Sequence, residues 1–171
     1  MTSEQVLETT HLLLRPMRPT DFDALWLIFT DPQVMAAFES PPLTAAQMQG
    51  WLQRNLDHQT EHGFGLFSIW HKEDGVLMGD CGLELMAINE EQVAELGYDL
   101  RSDYWGRGYA TEAAVAVRDY AFQQLNLPRL VSLIRVGNHA SRRVAEKVGM
   151  GLAAEFERHG RPYWQYELSH T

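Results

Sequence analysis

The chain has 171 residues, 45% of them hydrophobic, and a formal net charge of −9. This composition excludes a disordered or collagen-like chain and suits one compact domain spanning residues 1–171. No apolar run approaches the roughly 20 residues that span a bilayer, and the N-terminus lacks the pattern of a secretion signal. The single cysteine, Cys81, excludes an internal disulfide and a multi-thiolate metal site, and it favours the reducing cytoplasm.

The charge is unevenly distributed along the chain. Residues 1–105 carry 5 basic and 17 acidic side chains, whereas residues 106–171 carry 9 and 6. The acidic balance argues against a nucleic-acid partner. An acidic front half and a basic back half instead suggest a cationic ligand on one side and an anionic ligand on the other, although an ordinary solvated acidic surface gives the same totals.

The first part of the chain predicts one strand and two helices, each helix opened by a capping box. In chain order these are a strand at His11–Arg15, a helix opened at Thr20–Asp23 that runs through Phe29 to a stop at Asp31-Pro32, and a helix opened at Thr44–Gln47 that runs to about His58.

The second part alternates strands with two further helices. In chain order the predicted elements are strands at Phe64–Trp70, Val76–Met86 and Val93–Leu100, a helix at Tyr109–Leu125, a strand at Leu130–Val136, a helix at Asn138–Val148, and a hairpin at Phe156–Leu168. The order predicts an α/β (α+β) fold with a mixed sheet of about seven strands and about four helices. The unit from Val93 to Val136 predicts two parallel strands joined by a crossover helix.

A glycine loop joins a strand to the long helix at Trp105-Gly106-Arg107-Gly108-Tyr109. A helix N-terminus offers unpaired N–H groups and a favourable dipole to an anion, and glycine allows positive φ and close approach. The loop lacks the Gly-Lys-Ser/Thr of a P-loop. It also fails the dinucleotide-binding fingerprint, because Thr111 stands where that fingerprint needs Gly or Ala. The remaining phosphate motif is the acyl-coenzyme A pyrophosphate loop, and a plain turn is the alternative.

The segment Tyr104–Ala113 resembles the GNAT superfamily of N-acetyltransferases, and within it the branch of ribosomal-protein N-terminal (RimJ/RimL-type) acetyltransferases. The superfamily motif, Q/R-x-x-G-x-G/A, also stands between a strand and a long helix. Asp103 departs from this motif, which often has Gln or Arg there. The resemblance covers nearly the whole chain in the right order, through the segments Thr10–Pro16, Met78–Leu83, Glu95–Tyr98, Asn138–Ser141 and Ala145–Met150.

This resemblance implies a splayed mixed sheet that holds acetyl-coenzyme A (acetyl-CoA), the acetyl donor, where two parallel strands part. It implies that the pantetheine amides pair with a strand edge, that the pyrophosphate lies on the loop and the first helical turn, and that the next helix contacts pantetheine. The residues implied are Tyr98, Asp99 and Leu100 at the edge, Trp105, Gly106, Arg107, Gly108, Tyr109, Ala110 and Thr111 at the loop, and Asn138 and Ser141 on the next helix. Arg142 and Arg143 are candidates for the nucleotide phosphates, although surface arginines need no such role.

The reaction needs a base near this gap to remove the proton of the amine, and a carboxylate can serve. Glu95 is the first candidate, because strand alternation puts it on one face with Gly97 and Asp99. Glu84 on the preceding strand is the reserve. An exposed strand glutamate without a catalytic role is the alternative.

Two further groups are needed to complete acetyl transfer. The backbone N–H of Tyr98 is the candidate oxyanion donor, and Ser141 is the candidate donor to the leaving thiolate, unless it is an ordinary first-turn serine. Many superfamily members instead carry a tyrosine at the position of Ala145. Cys81 has no evident histidine partner, so direct attack of the amine in a ternary complex is favoured.

The sequence therefore predicts an acetyl-CoA-dependent N-acetyltransferase for a primary amine. The acceptor is a protein N-terminal α-amine, as the resemblance favours, or a small cationic amine such as a polyamine or an aminoglycoside-like compound. A coenzyme A-binding module without turnover and an NAD-dependent oxidoreductase are the alternatives. No nucleic acid, membrane or metal is expected, and the protein is expected to be a monomer or homodimer. His58 and His62 have the spacing of zinc ligands but lack the glutamate of a zincin, which indicates a solvated helix end.

Overall fold

Eight strands form one mixed sheet in the order β1-β2-β3-β4-β5-β6-β8-β7 in the computed structural model, which describes residues 4–171. The strands are β1 (Leu7–Glu8), β2 (Leu12–Pro16), β3 (Leu66–His71), β4 (Val76–Ile88), β5 (Glu91–Leu100), β6 (Arg129–Arg135), β7 (Gly151–Arg158) and β8 (Arg161–Ser169). The helices are α1 (Phe22–Phe29), α2 (Pro32–Ala36), α3 (Ala45–His62), α4 (Tyr109–Gln123) and α5 (His139–Val148). The predicted fold class is confirmed, with β1 and α2 as additional short elements.

Local sequence patterns predict most of the helix ends correctly. Thr44 caps α3 through the expected box, in which its Oγ1 accepts from the N–H of Gln47 and the Gln47 side chain accepts from the N–H of Thr44. The helix runs four residues beyond His58, to His62, and is ended by Gly63, which has a left-handed φ of 77°. Asp31-Pro32 ends α1 as expected and also begins α2, because the Asp31 carboxylate caps the N–H of Gln33.

The capping box predicted at Thr20–Asp23 is wrong. A short 3-10 turn at Pro19–Asp21 leads into α1, and no side chain caps the helix. The Asp21 carboxylate is turned into the protein instead, where it accepts from Arg15 at 2.6 Å and from Ser68 at 2.7 Å. Burial raises the pKa of Asp21, but these hydrogen bonds outweigh burial and hold it below its usual range. A buried ion pair therefore replaces the local cap.

The sheet opens between β5 and β6, which are parallel as predicted. Only two residue pairs join these strands, Ala94 with Leu130 and Glu95 with Val131. Beyond Val131, β6 continues along β8 and no longer pairs with β5. The far half of β5, from Leu96 to Leu100, consequently has a free edge that faces a gap in the sheet.

Helices cover both faces of the sheet. On one face, α4 and α5 bury Val117 and Ala145 in a core that includes Leu96. On the other, α1 and α3 bury Leu25 and Leu52 in a second core. No helix among residues 4–171 is long and apolar enough to cross a membrane.

Glu112, in the first turn of α4, fastens that helix to the start of the sheet. Its carboxylate accepts hydrogen bonds from the Thr9 hydroxyl at 2.6 Å and the His11 N–H at 2.8 Å, and it contacts His11 Nδ1 at 2.9 Å. Burial raises the pKa of Glu112, but these hydrogen bonds outweigh it and leave the pKa lowered. Glu112 therefore positions the N-terminal end of α4.

The His58 side chain links two elements through its ring nitrogens, and it does not lie in a solvated helix end as the sequence predicted. Its Nδ1 lies 3.1 Å from the Phe64 carbonyl, and its Nε2 accepts from the Leu85 N–H at 2.9 Å, which joins α3 to β4. The Leu85 contact requires the neutral ring, with the hydrogen on Nδ1 and the lone pair on Nε2. Burial is the main reason why the pKa of His58 is lowered.

Because the pKa of His58 is lower in the folded than in the unfolded chain, its contribution to stability is present above its unfolded pKa of 6.5 and is lost as the pH falls below that value. We expect His58→Gln to lower the free energy of unfolding by about 1–3 kcal/mol near pH 8, with a smaller loss near pH 5.5. Urea unfolding at the two pH values measures this. His62→Gln is the control from the same helix turn, since the His62 side chain forms no hydrogen bond among residues 4–171; an equal loss there would contradict the assignment.

Candidate active site

The loop before α4 leaves the helix N-terminus open to an anion. Gly108 is the N-cap residue with a φ of 83°, Gly106 has a φ of 75°, and no side chain caps the first turn. A Cβ at either glycine would meet no atom within 4 Å. The backbone conformation and not crowding therefore requires glycine, and the N–H groups of the first turn are free to bind an anion.

Aromatic and charged side chains hold this loop in place. Tyr104 is buried, its hydroxyl donates to Asp74 at 2.8 Å, and the guanidinium of Arg107 lies 5.5 Å from its ring centre. Tyr109, the first residue of α4, has its hydroxyl 3.0 Å from His71 Nε2. The loop is thus anchored to the β3–β4 hairpin at two points.

Asp103 stands where the superfamily motif often has Gln or Arg. It forms an ion pair with Arg101 at 2.8 Å, and its side chain is exposed. The pairing offsets the negative charge that Asp103 would otherwise present next to the anion site, so this departure from the motif is compatible with phosphate binding.

The free edge of β5 exposes the backbone of Tyr98. The N–H of Arg101 donates to Met78 on β4, which fixes the alternation along β5 and turns the backbone groups of residues 96, 98 and 100 toward the gap. Two of the carbonyls are already used, since Ser132 Oγ donates to Leu96 at 2.7 Å and the Trp105 indole donates to Leu100 at 3.0 Å.

The expected backbone contact at Asp99 does not fit this alternation. The N–H and carbonyl of Asp99 face β4, where Asp99 pairs with Asp80. Only Tyr98 and the N–H of Leu100 therefore remain at the gap for a ligand. The sequence analysis did not identify Ser132 as a residue of the gap. The signal that could have found it is a lone serine within the apolar run Leu130–Ile134.

Glu95 lies at the apex of the gap, because it is the last β5 residue that pairs with β6. It is partly buried, so it is not an exposed strand glutamate. Burial and the facing Glu84 raise its pKa to about 7, against a weaker lowering by the Leu133 N–H and by Arg158. A carboxylate that titrates near neutral pH is suited to exchange protons with an amine.

A row of carboxylates extends from Glu95 along the same face of the sheet. Glu84 pairs directly with Glu95, Gly82 with Gly97, and Asp80 with Asp99 across β4 and β5. These side chains alternate with the buried apolar ones of the α4–α5 core and so point toward α1 and α3. We call Asp80, Glu84, Glu95 and Asp99 the acidic face.

Helix α5 borders the gap on the opposite face of the sheet. Asn138 caps it by accepting from the N–H of Ser141 at 3.2 Å, as predicted. The carbonyl of Ser141 accepts from the Tyr98 hydroxyl at 2.6 Å, while its own hydroxyl forms no hydrogen bond among residues 4–171. Burial raises the pKa of Tyr98. Tyr98 therefore joins the edge strand to α5 and leaves Ser141 Oγ free.

Contacts and burial within the protein constrain Arg142 and Cys81. Arg142 pairs with Glu146 at 3.0 Å and lies 5.0 Å from the Trp164 ring centre, so contacts within the protein hold its side chain. Cys81 is buried, and burial raises its pKa well above the usual range, which does not suit a nucleophile. Within residues 4–171, no three His, Cys, Asp or Glu side chains form a metal-binding group.

The sheet that opens between β5 and β6 is the splayed sheet implied by the sequence resemblance, and it places the protein among the acetyltransferases. Residues 11–151 match the family described as "Acetyltransferase (GNAT) domain". The chain belongs to this GNAT family of N-acetyltransferases, so the family prediction is confirmed.

Individual relatives are similar to this chain along nearly its whole length. The chain is 36% identical over 171 residues to the Bacillus subtilis protein named "Uncharacterized protein YkkB", covering 98% of this chain and 97% of that one. It is 33% identical over 158 residues to "Uncharacterized N-acetyltransferase p20" of Bacillus licheniformis, with 90% and 88% covered. An acetyltransferase structure from Agrobacterium tumefaciens matches with a TM-score of 0.83 at 33% identity, covering 98% and 96%. The matches also include a Bacillus subtilis protein named "Putative ribosomal N-acetyltransferase YdaF", 38% identical over 77 residues that cover 44% of this chain and 41% of that one. A Vibrio fischeri structure described as a ribosomal-protein-S5-alanine acetyltransferase matches with a TM-score of 0.79 at 19% identity, covering 97% of each chain.

Proposed function

We propose that the protein transfers an acetyl group from acetyl-CoA to a primary amine by direct attack in a ternary complex, with Glu95 as the base. The observation that carries this proposal is the position of Glu95, which combines a pKa of about 7 with the exact point where β5 and β6 part. An amine attacks only when neutral, and a base that titrates near neutral pH can take its proton.

The residues at the gap fit acetyl-CoA. The uncapped first turn of α4 offers N–H groups to the pyrophosphate across the segment Trp105–Thr111, and the free Tyr98 edge offers a strand-like partner to the pantetheine amides. Asn138 borders the same gap at the start of α5. When bound, the thioester supplies the activated acetyl group.

The chain's own residues then accept the proton of the amine and stabilise the negative charges that form. Glu95 accepts the proton of the acceptor ammonium, and the neutral nitrogen bonds to the acetyl carbonyl carbon. The N–H of Tyr98 donates to the oxygen that becomes negative. As the carbon–sulfur bond breaks, the Ser141 hydroxyl, which has no hydrogen-bond partner among residues 4–171, donates a hydrogen bond to the departing sulfur. The second proton lost by the nitrogen passes to this sulfur, so the products are the amide and the free thiol, and the proton on Glu95 is released to solvent.

The acceptor is a cationic amine, for which the acidic face supplies the complementary charge. A protein N-terminal α-amine and a small cationic amine both meet this requirement, and thiol release with a panel of both measures which is used. Turnover with any primary amine supports the function, and we expect Glu95→Gln to remove most of it. Coenzyme A binding without thiol release from any amine would instead identify a binding module.

A further inference from the structure

A path of polar side chains joins the two ends of the glycine loop through the β3–β4 hairpin. Tyr109, the first residue of α4, has its hydroxyl 3.0 Å from His71 Nε2. His71 Nδ1 lies 3.1 Å from the Asp74 carboxylate and 3.3 Å from the Asp74 backbone nitrogen. The hydroxyl of Tyr104 donates to the same carboxylate at 2.8 Å. The path from Tyr109 through His71 and Asp74 to Tyr104 therefore begins and ends on opposite sides of the loop.

The three rings of this path also pack against one another. Ring centres lie 5.1 Å apart for His71 and Tyr109, 5.5 Å apart for His71 and Tyr104, and 6.3 Å apart for the two tyrosines. His71 is 5% exposed and Tyr104 is 7% exposed. Hydrogen bonds between buried groups hold side chains firmly, because water does not compete for the same donors and acceptors. His71 therefore fixes the positions of both tyrosines.

The loop between these tyrosines depends on its ends for its shape. Gly106 and Gly108 both have a left-handed φ, and the Trp105 indole adds one hydrogen bond, to the Leu100 carbonyl. Glycine permits many backbone conformations, so a loop with two glycines loses more entropy when its N–H groups converge on one anion. Ends that are already fixed reduce this loss at the moment of binding, which raises the affinity for the anion.

We propose that His71 and Asp74 are positioning residues for the acyl donor: they hold Tyr104 and Tyr109 so that the N–H groups of the loop and of the first turn of α4 converge on the pyrophosphate before it binds. This proposal rests on the proposed function. Both residues belong to the hairpin and act through the tyrosines. A contact that only stabilises the hairpin is the competing interpretation, and it predicts lost stability without a selective loss of pyrophosphate affinity.

The first test removes one hydroxyl at a time from α4. Tyr109→Phe deletes the group that contacts His71 and keeps the ring. Tyr120→Phe, about three turns along the same helix, is the matched control, because the Tyr120 hydroxyl forms no hydrogen bond among residues 4–171. We expect Tyr109→Phe to raise the Kd of coenzyme A about threefold to tenfold, the range of one internal hydrogen bond, and Tyr120→Phe to leave it unchanged. Calorimetry measures both, and pantetheine, which lacks the pyrophosphate, should bind wild type and both variants alike.

A double-mutant cycle tests whether His71 acts through Tyr109. His71→Leu should raise the Kd of coenzyme A by at least as much as Tyr109→Phe, and the double variant should bind no more weakly than His71→Leu, since both changes break the same contact. His71→Gln, which keeps an N–H group on the side chain, should recover part of the affinity. Additive losses in the double variant would show that the two side chains act separately, and the proposed path would be wrong.

Hydrogen exchange of the protein without ligand supplies a readout that needs neither coenzyme A nor turnover. The N–H of Glu112 donates to the Gly108 carbonyl at 3.0 Å, so its exchange reports the opening of the first turn of α4. We expect this N–H to exchange faster in Tyr109→Phe than in the wild type, and at the wild-type rate in Tyr120→Phe.

The outcomes separate this inference from the proposed function. Unchanged coenzyme A affinity and unchanged exchange in Tyr109→Phe would overturn the positioning role and leave the acetyltransferase intact. Equal weakening of coenzyme A and pantetheine would also overturn it, because the path would then support the protein as a whole and not the pyrophosphate site. A wild type that binds coenzyme A but releases thiol with no amine would refute acetyl transfer and leave the positioning role standing. A wild type that binds no coenzyme A would refute both.

Discussion

Glu95→Gln is expected to lower kcat near pH 8 by about a hundredfold or more, because general-base catalysis contributes factors of about 10²–10⁴. In the wild type, kcat/KM should rise with pH through about 7, the pKa of the Glu95 carboxyl, and then level off as that group becomes a carboxylate. Glutamine cannot accept the proton, so the variant should lose this limb of the profile. Steady-state thiol release across the pH range measures it.

Glu84→Gln is the control that distinguishes a base from a neighbouring charge. Glu84 faces Glu95 across β4 and β5, and its negative charge is the second cause that raises the Glu95 pKa. Its removal should therefore move the limb to lower pH without abolishing it. A limb that persists unchanged in Glu95→Gln would show that another group or a water chain removes the proton.

Burial of Glu95 also lowers the stability of the folded protein, so Glu95→Gln should lose activity but gain stability. Its pKa is 4.5 in the unfolded chain and about 7 in the folded one, so the folded protein loses stability as the pH rises from 4.5 through 7. We expect Glu95→Gln to raise the melting temperature above pH 7 and to have little effect below pH 4.5, where glutamate is already protonated. Thermal unfolding at the two extremes, with the activity assay, therefore separates catalytic loss from misfolding.

Sequence periodicity was sufficient for every helix and strand except the short β1 and α2, and for the position of Glu95 on β5. Strand alternation placed Glu95 with Gly97 and Asp99 on one face, and the register confirms that neighbourhood. The capping box at Thr44 and the end of α5 at Gly149, which has a φ of 103°, could also be predicted from the sequence. The groups that form each of these features lie within a few residues of each other.

What the sequence did not reveal depends on contacts between distant segments. Asp21 reads as a local helix-start residue, yet it binds Ser68, 47 positions away. The Tyr98 hydroxyl reaches the Ser141 carbonyl across 43 positions, and the backbone direction at Asp99 follows from its register with β4. No local pattern specifies these pairings, because they arise only when the sheet and its helices have assembled.

Replacement of Gly108 by alanine is expected to weaken coenzyme A binding by at least about tenfold. Gly108 has a φ of 83°, in the left-handed region where a side chain costs about 1–2 kcal/mol. Alanine relieves this strain by changing φ, which turns the N–H groups of the first turn of α4 away from a common centre. Calorimetric titration with coenzyme A measures the loss.

Two controls assign this loss to the pyrophosphate. Gly63→Ala introduces the same strain at a φ of 77° where α3 ends, again with no atom within 4 Å of the new Cβ, so it should lower stability similarly and leave coenzyme A affinity unchanged. Pantetheine carries no pyrophosphate, and its affinity should be alike in wild type and Gly108→Ala. Since the helix end provides both the donors and the favourable dipole, equal coenzyme A affinity in Gly108→Ala would mean that the diphosphate binds elsewhere, and the loop would then be only a turn.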